Sequence, residues 1–149
     1  MSSPQTPSEI SHSLVPLRKK QAQLMLEAGY LYMDMRNFEK SKEVLVGAAA
    51  LMPKSEVPQL ALGTLELVQG RHDKALAAFR VAQRLAPTSS LPRAHAGEAL
   101  LFLGKTREAV KELKAALEIE PEGDGARLAQ TLLAAQQSGL YESRPSAKP

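Results

Sequence analysis

Apolar positions recur along most of the chain at the three- and four-residue intervals typical of amphipathic helices. The clearest stretch, GRHDKALAAFRVAQRLAP, runs from residue 70 to residue 87 and is bounded by a glycine and a proline. Within it Ala75, Phe79 and Ala82 follow at offsets of four and three, so they share one helix face. A face that combines small side chains with a phenylalanine predicts a helix packed closely against another helix.

The same pattern occurs three times, with a period of 34 residues. Five sets of positions keep this interval: Gly29, Gly63 and Gly97; Ser41, Ala75 and Ala109; Leu45, Phe79 and Leu113; Ala48, Ala82 and Ala116; Pro53, Pro87 and Pro121. Each unit holds two apolar-periodic stretches of about 13 residues, or about 20 Å of helix, joined by a short turn. Helices joined so tightly are antiparallel, and such a unit buries both its faces only by stacking on its neighbours. The sequence therefore predicts an all-α solenoid of seven helices with no strand.

The period and these positions resemble the tetratricopeptide repeat (TPR) family. Counted from residues 22, 56 and 90, the family has a small residue at position 8, alanine at 20 and 27, a large apolar residue at 24 and proline at 32. The middle unit has all five, as Gly63, Ala75, Phe79, Ala82 and Pro87. The resemblance implies an all-α TPR solenoid of three helix-turn-helix repeats over residues 22–55, 56–89 and 90–123, within a domain of residues 17–139.

A seventh helix is predicted after the repeats, over residues 124–138. Asp124 is suited to cap its N-terminus, and Gly139 follows as a stop signal. Between them Leu128, Leu132 and Leu133 form an apolar series. Such a helix would cap the exposed edge of the last repeat, as repeat proteins require.

The two ends of the chain have a different composition. Residues 1–16 and 142–149 are rich in serine and proline and short of apolar residues, which predicts disordered tails.

The start has no apolar run after a basic region, and no run of about 18 apolar residues occurs, so neither a secretory signal nor membrane insertion is expected. No cysteine is present, which excludes disulfides. We expect a soluble, cytoplasmic protein.

The positive charge lies in the second half of the chain. The net charge is +3, and residues 71–149 contain twelve Lys and Arg against nine Asp and Glu. A basic flank can attract nucleic acid or an acidic partner. Stacking aromatics are scarce, however, and no nucleic-acid motif occurs, so the flank is interpreted as a solvated outer face and no nucleic-acid partner is expected.

No pattern for catalysis or cofactor binding occurs. His12, His72 and His95 lie in three different parts of the chain, with no pair at metal-ligand spacing. A glycine-rich phosphate loop, a nucleophile elbow and a paired-carboxylate motif are all absent from the sequence. We therefore expect no catalytic residue, cofactor or metal site, and a binding protein rather than an enzyme.

In the TPR family, the first helix of each repeat lines a concave groove. The matching positions here imply a partner-binding groove of Leu26, Tyr30, Met33, Val57, Leu60, Thr64, Leu67, Leu91, Ala94, Glu98, Leu101 and Phe102. Most are apolar, which favours an extended apolar peptide or a partner helix. The Lys, Asn and Arg clamp with which one family branch holds acidic C-terminal tails is missing. An alternative is that some of these residues pack beneath the capping helix or the N-terminal segment.

Three segments are similar to the class II chaperones of type III secretion: residues 31–45, LYMDMRNFEKSKEVL; residues 60–70, LALGTLELVQG; and residues 92–118, which contain His95, Glu98 and the Leu100-Leu101 pair. Proteins of that group are cytoplasmic, often dimeric, and hold apolar segments of translocator or apparatus subunits before export. The resemblance implies a chaperone for an apolar segment of a partner protein and leaves a homodimer open. The alternative function is a generic TPR adaptor that assembles another multiprotein complex.

Overall fold

Seven α-helices make up the regular structure of the described chain, which in this computed structural model comprises residues 3, 4 and 6–142. In chain order they are α1 (Pro7–Asp34), α2 (Phe38–Leu51), α3 (Val57–Val68), α4 (His72–Leu85), α5 (Ser90–Phe102), α6 (Thr106–Ile119) and α7 (Asp124–Gln137). No strand occurs in this described part. The all-α prediction and its seven helices are confirmed, and α7 begins at the predicted Asp124 and ends at Gln137.

The chain divides into two compact units. Unit 1 is Met1–Pro53 and contains α1 and α2, whereas unit 2 is Lys54–Pro149 and contains α3 to α7. The two helices of the first predicted repeat therefore belong to unit 1, and the helices of the other two repeats and the capping helix belong to unit 2.

The first helix begins earlier than the sequence composition predicts. α1 starts at Pro7, so the predicted disordered tail over residues 1–16 is wrong for residues 7–16. The order Thr6-Pro7-Ser8-Glu9 is that of a capping box with proline at the first helical position, where a missing N–H costs little. The predicted tail over residues 142–149 lies, beyond Glu142, outside the described residues.

In unit 1 the two helices meet at a glycine. A Cβ atom on Gly29 of α1 would lie 2.6 Å from Cγ of Leu45 on α2, so only glycine permits this approach. The hydroxyl of Ser41 also donates a 2.8 Å hydrogen bond to the buried carbonyl of Gly29. The serine that replaces the alanine of the other repeats is therefore satisfied in the core.

Unit 2 repeats this contact twice. A Cβ on Gly63 of α3 would lie 2.6 Å from Cδ1 of Phe79 on α4, and one on Gly97 of α5 would lie 2.6 Å from Cδ2 of Leu113 on α6. In each repeat the large side chain stands sixteen residues after the glycine. The small positions of the sequence pattern thus set the distance between the paired helices.

The turns inside the repeats also keep the 34-residue period. Residues 36, 70 and 104 adopt a left-handed backbone, with φ of 57° at Arg36 and 74° at Gly70 and Gly104. The N–H of the following residue donates back to the carbonyl five residues earlier, at Tyr32, Glu66 and Leu100. This is the Schellman ending of a helix.

Between the repeats of unit 2, α4 packs on α5 through small residues. Ala82 is fully buried in one cluster with Ala96 and Ala99, as its position in the repeat predicts. At the C-terminal end α7 packs on α5 and α6, where Ala129 and Leu132 join a second cluster around Leu113. The capping helix therefore covers the last repeat.

Candidate partner-binding surface

In unit 1, one of the three predicted groove residues remains accessible. Leu26 and Met33 are buried on α1, whereas 42% of Tyr30 is exposed. Desolvation by the surrounding protein raises the pKa of the Tyr30 hydroxyl above its ordinary value near 10. Tyr30 is therefore the exposed member of the three.

On α3 the predicted groove residues differ in accessibility. Val57 is exposed, and Thr64 and Leu67 are half-buried. Leu60 is only 8% exposed and belongs to the core, so it offers little surface to a partner. The Thr64 hydroxyl donates to the Leu60 carbonyl at 2.9 Å, which satisfies the hydroxyl within its own helix.

On α5, two of the predicted groove residues are not available for binding. Ala94 and Leu101 are 0% and 1% exposed and lie in the cluster that α7 completes with Ala129 and Leu132. Their assignment to an open groove needs correction, because both are buried in the contact between α5 and the capping helix. These two residues follow the alternative reading, in which part of the predicted lining packs beneath the capping helix.

Phe102, at the end of α5, is held by other aromatic rings. It stacks on His72 with ring centroids 4.7 Å apart and meets Tyr141 edge-on at 5.7 Å. These contacts connect α5 with the start of α4 and with the segment after α7. Phe102 therefore contributes mainly to packing.

The remaining members lie on two helices of unit 2, and we refer to them as the α3–α5 surface: Val57, Thr64, Leu67, Leu91 and Glu98. Leu67, near the end of α3, and Leu91, near the start of α5, both pack half-buried on the cluster that contains Leu60 and Phe79. Spacings of seven residues place Val57 with Thr64 on α3, and Leu91 with Glu98 on α5. The surface is thus largely apolar.

One carboxylate marks the edge of the α3–α5 surface. Oε2 of Glu98 lies 3.0 Å from Nδ1 of His95, and both side chains are 23% exposed. The His95 ring is also stacked on Phe79, with centroids 5.0 Å apart and an angle of 18° between planes. His95 therefore holds the Glu98 carboxylate beside the apolar surface.

Several basic residues of the second half are used inside unit 2. Arg80 and Arg93 lie 2.5 Å and 3.2 Å from the Glu112 carboxylate, and Arg71 lies 3.5 Å from that of Glu66. The first two pairs connect α4 and α5 to α6. By contrast, Arg107, Lys111 and Lys114 are exposed and line an open depression on α6.

The sequence pattern missed a second apolar surface, on α1. It consists of the exposed side chains of Leu17, Leu24 and Leu31 on α1 and of Met35, which directly follows the helix. Its signal in the sequence is the seven-residue spacing of positions 17, 24 and 31, which the 34-residue period obscures.

Among the described residues, no group of three His, Cys, Asp or Glu side chains is arranged to hold a metal ion. In the same part of the chain, no helix has the length and apolar character needed to cross a membrane.

Models of the tetratricopeptide repeat match the sequence over residues 26–90 and again over residues 93–122. Together they cover more than half of the chain. No curated protein sequence matches it.

Solved structures with a similar fold are TPR domains of low sequence identity. The second TPR domain of human RPAP3, in complex with the HSP70 peptide SGPTIEEVD, has a TM-score of 0.67 at 20% identity over 83% of this chain and 98% of that one. The type III secretion translocator chaperone SycD of Yersinia enterocolitica, described as an alternative dimer, has a TM-score of 0.69 at 18% identity, over 80% and 95%. The Sgt2 TPR domain of Aspergillus fumigatus gives 0.67 at 18% identity, over 86% and 87%.

Proposed function

The chain belongs to the tetratricopeptide repeat family, and we propose that it is a non-catalytic scaffold that binds an apolar segment of a partner protein. The α3–α5 surface is the proposed docking site; its apolar residues are Leu67, near the end of α3, and Val57 and Leu91, at the starts of α3 and α5. Tyr30, which is exposed in unit 1, is proposed separately as a partner-contact residue of that unit.

One observation carries this proposal: Leu67 and Leu91, on two different helices, stay partly open to water while they pack on one buried cluster. Half-buried apolar side chains on a rigid core lose little conformational entropy when a ligand covers them. An extended peptide or an amphipathic helix that places apolar side chains against both leucines is the ligand of matching chemistry.

The acidic peptides held by RPAP3 are a poorer match for this chain. The α3–α5 surface contains no lysine, arginine or asparagine, and its single charged residue is Glu98. A C-terminal carboxylate placed there would lack a cationic partner and would be repelled by Glu98. The absence of a clamp in the sequence therefore supports an apolar rather than an acidic ligand.

Within this class we propose a chaperone of the type III secretion kind, which works in the cytoplasm and shields an apolar segment of an export substrate. The similarity of fold to SycD and the three matching sequence segments support it. An adaptor that assembles another multiprotein complex is the alternative, supported by the equal similarity to RPAP3 and Sgt2. Purification from the native host, followed by identification of the bound protein, distinguishes the two.

Leu67→Glu is the variant that tests the binding surface. The charge would face an apolar ligand without a partner, so we expect the Kd for the co-purified protein to rise at least about tenfold. Titration calorimetry measures the Kd, and a thermal melt confirms that the variant is folded. Leu60→Glu is unsuitable, because Leu60 is buried and a charge there would unfold the protein.

Leu85→Glu is the matched control, since Leu85 is an exposed leucine at the end of α4 and outside the α3–α5 surface. It should bind with the wild-type Kd. Unchanged binding by a folded Leu67→Glu protein would contradict the proposed surface and make the basic depression on α6 the better candidate.

A further inference from the structure

Three cationic side chains lie in one line on the outer side of α6. Arg107, Lys111 and Lys114 follow at intervals of four and three residues, so they share the helix face opposite the buried Ala109 and Leu113. All three are exposed, and we refer to them as the α6 basic strip. From its first to its last Cα atom the strip measures about 10 Å at the rise of an α-helix.

The cations of the strip are not paired within the described chain. Arg80 and Arg93 both hold the Glu112 carboxylate, which belongs to the same helix as the strip. No ion pair, by contrast, joins the α6 basic strip to a carboxylate of the described residues. A partner can therefore pair with these three cations without breaking an ion pair of the fold.

Arg107 is not explained by the stability of its helix. It lies in the first turn of α6, at the repeat position that Glu39 and Asp73 occupy in the first turns of α2 and α4. An acidic residue is favoured there, because the N-terminal end of a helix carries a positive partial charge. Glu108, one residue later, supplies the acid of this turn in α6. The third repeat therefore has a cation that costs helix stability and makes no ion pair in return.

An acidic helix has the geometry that matches this strip. Val110 and Ala115, which are half-buried and have short side chains, flank the strip and leave an open depression of about 450 Å³, so the charged groups are accessible from outside. A helix can present carboxylates at the same intervals of four and three residues. Glu118 follows Lys114 by four residues, so a basic residue of the partner is expected at that end.

Other occupants fit the strip less well. A second copy of this chain would place like charges together: an antiparallel copy opposes Lys111 to Lys114, and a parallel copy opposes each cation to itself. A membrane surface requires exposed apolar anchors, whereas the apolar residues of the depression are the half-buried Val110 and Ala115. No aromatic side chain lines the depression, so stacking of nucleic-acid bases is not supported.

We propose that the α6 basic strip docks an acidic helix of a protein partner, with one carboxylate of the partner at each of the three cations. Each exposed ion pair contributes little alone, so the affinity depends on the three pairs forming together and on low salt. This surface lies on another helix than the α3–α5 surface, so either proposal can fail without the other.

Two helical peptides of equal composition test the geometry. Both are alanine-based, about 20 residues long and fluorescently labelled, and contain three glutamates and one lysine. In the first peptide these four residues share one face, at intervals of four, three and four; in the second they are scattered around the helix. We expect the full-length chain to bind the first about five- to tenfold more tightly in anisotropy titrations at about 50 mM salt. Equal affinities overturn the proposal.

The double variant Lys111→Glu/Lys114→Glu tests the strip itself. It replaces two attractive pairs with repulsive ones, so we expect the Kd for the one-face peptide to rise at least about tenfold. Lys19→Glu/Lys20→Glu is the matched control, because it changes the net charge equally at two exposed lysines of α1 and should bind like the wild type. Equal losses in the two variants would show that only net charge matters and would overturn the proposal.

Arg107→Asp separates binding from folding, because the two should change in opposite directions. Asp at this position restores the acid of the other repeats and can pair with Lys111 four residues later, so we expect a melting temperature about 1–4 °C higher. The affinity for the one-face peptide should fall about three- to fivefold. A lower melting temperature would assign Arg107 to the fold, and an unchanged affinity would remove it from the docking surface; either result overturns the proposal.

Competition distinguishes a protein partner from other polyanions. An oligonucleotide of about 20 thymidines and phosphatidylserine vesicles are titrated against the complex with the one-face peptide. We expect neither to displace the peptide at an equal concentration of negative charge. Displacement by one of them, together with loss of its binding in Lys111→Glu/Lys114→Glu, would make the strip a nucleic-acid or membrane contact and overturn the proposal.

Discussion

At the scale of single residues, the recurring glycine is the feature on which the repeats depend. Gly29, Gly63 and Gly97 each face a large side chain that would overlap with a Cβ atom. Because a helix interior disfavours glycine by about 1 kcal/mol relative to alanine, the close packing must offset that cost in every repeat. The large side chain sixteen positions after each glycine (Leu45, Phe79 or Leu113) fills the space that the glycine leaves.

Ala82→Leu tests the other small position. Ala82 is fully buried between α4 and α5, so three added carbon atoms force the helices apart and should cost about 1–3 kcal/mol. Urea denaturation measures the loss. Ala77→Leu is the control, because Ala77 is exposed on the same helix and the change should be nearly neutral. Equal midpoints for the two variants would contradict the placement of Ala82.

A second residue-scale contact joins the two ends of the third repeat. The N–H and the hydroxyl of Ser90 donate to Oε2 of Glu120 at 3.0 Å and 2.7 Å, and these bonds hold the pKa of the Glu120 carboxyl below its ordinary value. A lowered pKa means that the carboxylate stabilises the fold at neutral pH. This contribution is lost as the pH falls through the folded-state pKa.

Glu120→Gln should therefore be less stable than the wild type at pH 7, and the difference should shrink as the pH falls below the ordinary glutamate value. Thermal melts at a series of pH values provide the comparison. Glu122→Gln, which removes the same charge from a neighbouring exposed side chain, controls for net charge. A difference that grows on acidification would contradict the assigned role of Glu120.

At the scale of the element, the order of residues at a helix end predicts that end better than the composition of the segment does. The left-handed endings at residues 36, 70 and 104 keep the repeat period even where Arg36 replaces glycine. Summed over residues 1–16, the serine and proline content predicts a disordered tail, whereas α1 begins at Pro7. Their order at Thr6-Pro7-Ser8-Glu9 is a helix start signal.

Gly125→Ala tests how α7 is seated. A Cβ there would lie 2.5 Å from the carbonyl oxygen of Ser90, and closer still to its carbonyl carbon, and backbone atoms cannot move aside cheaply. We expect a loss of about 1–3 kcal/mol in the free energy of unfolding. At Gly47 an added Cβ meets only the terminal methyl of the flexible Met25 side chain, so Gly47→Ala should be neutral or stabilising. The reverse order of stabilities would contradict this packing of α7.

At the scale of the whole molecule, the net charge of +3 and the apolar α3–α5 surface favour different partners. If the surface binds an apolar segment, association should show a negative heat-capacity change and depend weakly on salt. Titration calorimetry at several temperatures, repeated at about 50 mM and about 500 mM salt, gives both quantities. A steep loss of affinity with salt would instead indicate the basic flank.

The sequence by itself determined the repeat: its period, its glycine and alanine contacts, its paired helices and the existence of a capping helix. These features depend on contacts between neighbouring segments, which a periodic pattern records. The sequence did not determine which apolar residues remain accessible to a partner. Leu67 and Leu101 occupy equivalent positions in successive repeats, yet Leu67 is half-buried and Leu101 is covered by α7. Apolar residues that pack and those that bind have the same chemistry, so only the tertiary structure, which decides what lies above each side chain, distinguishes them.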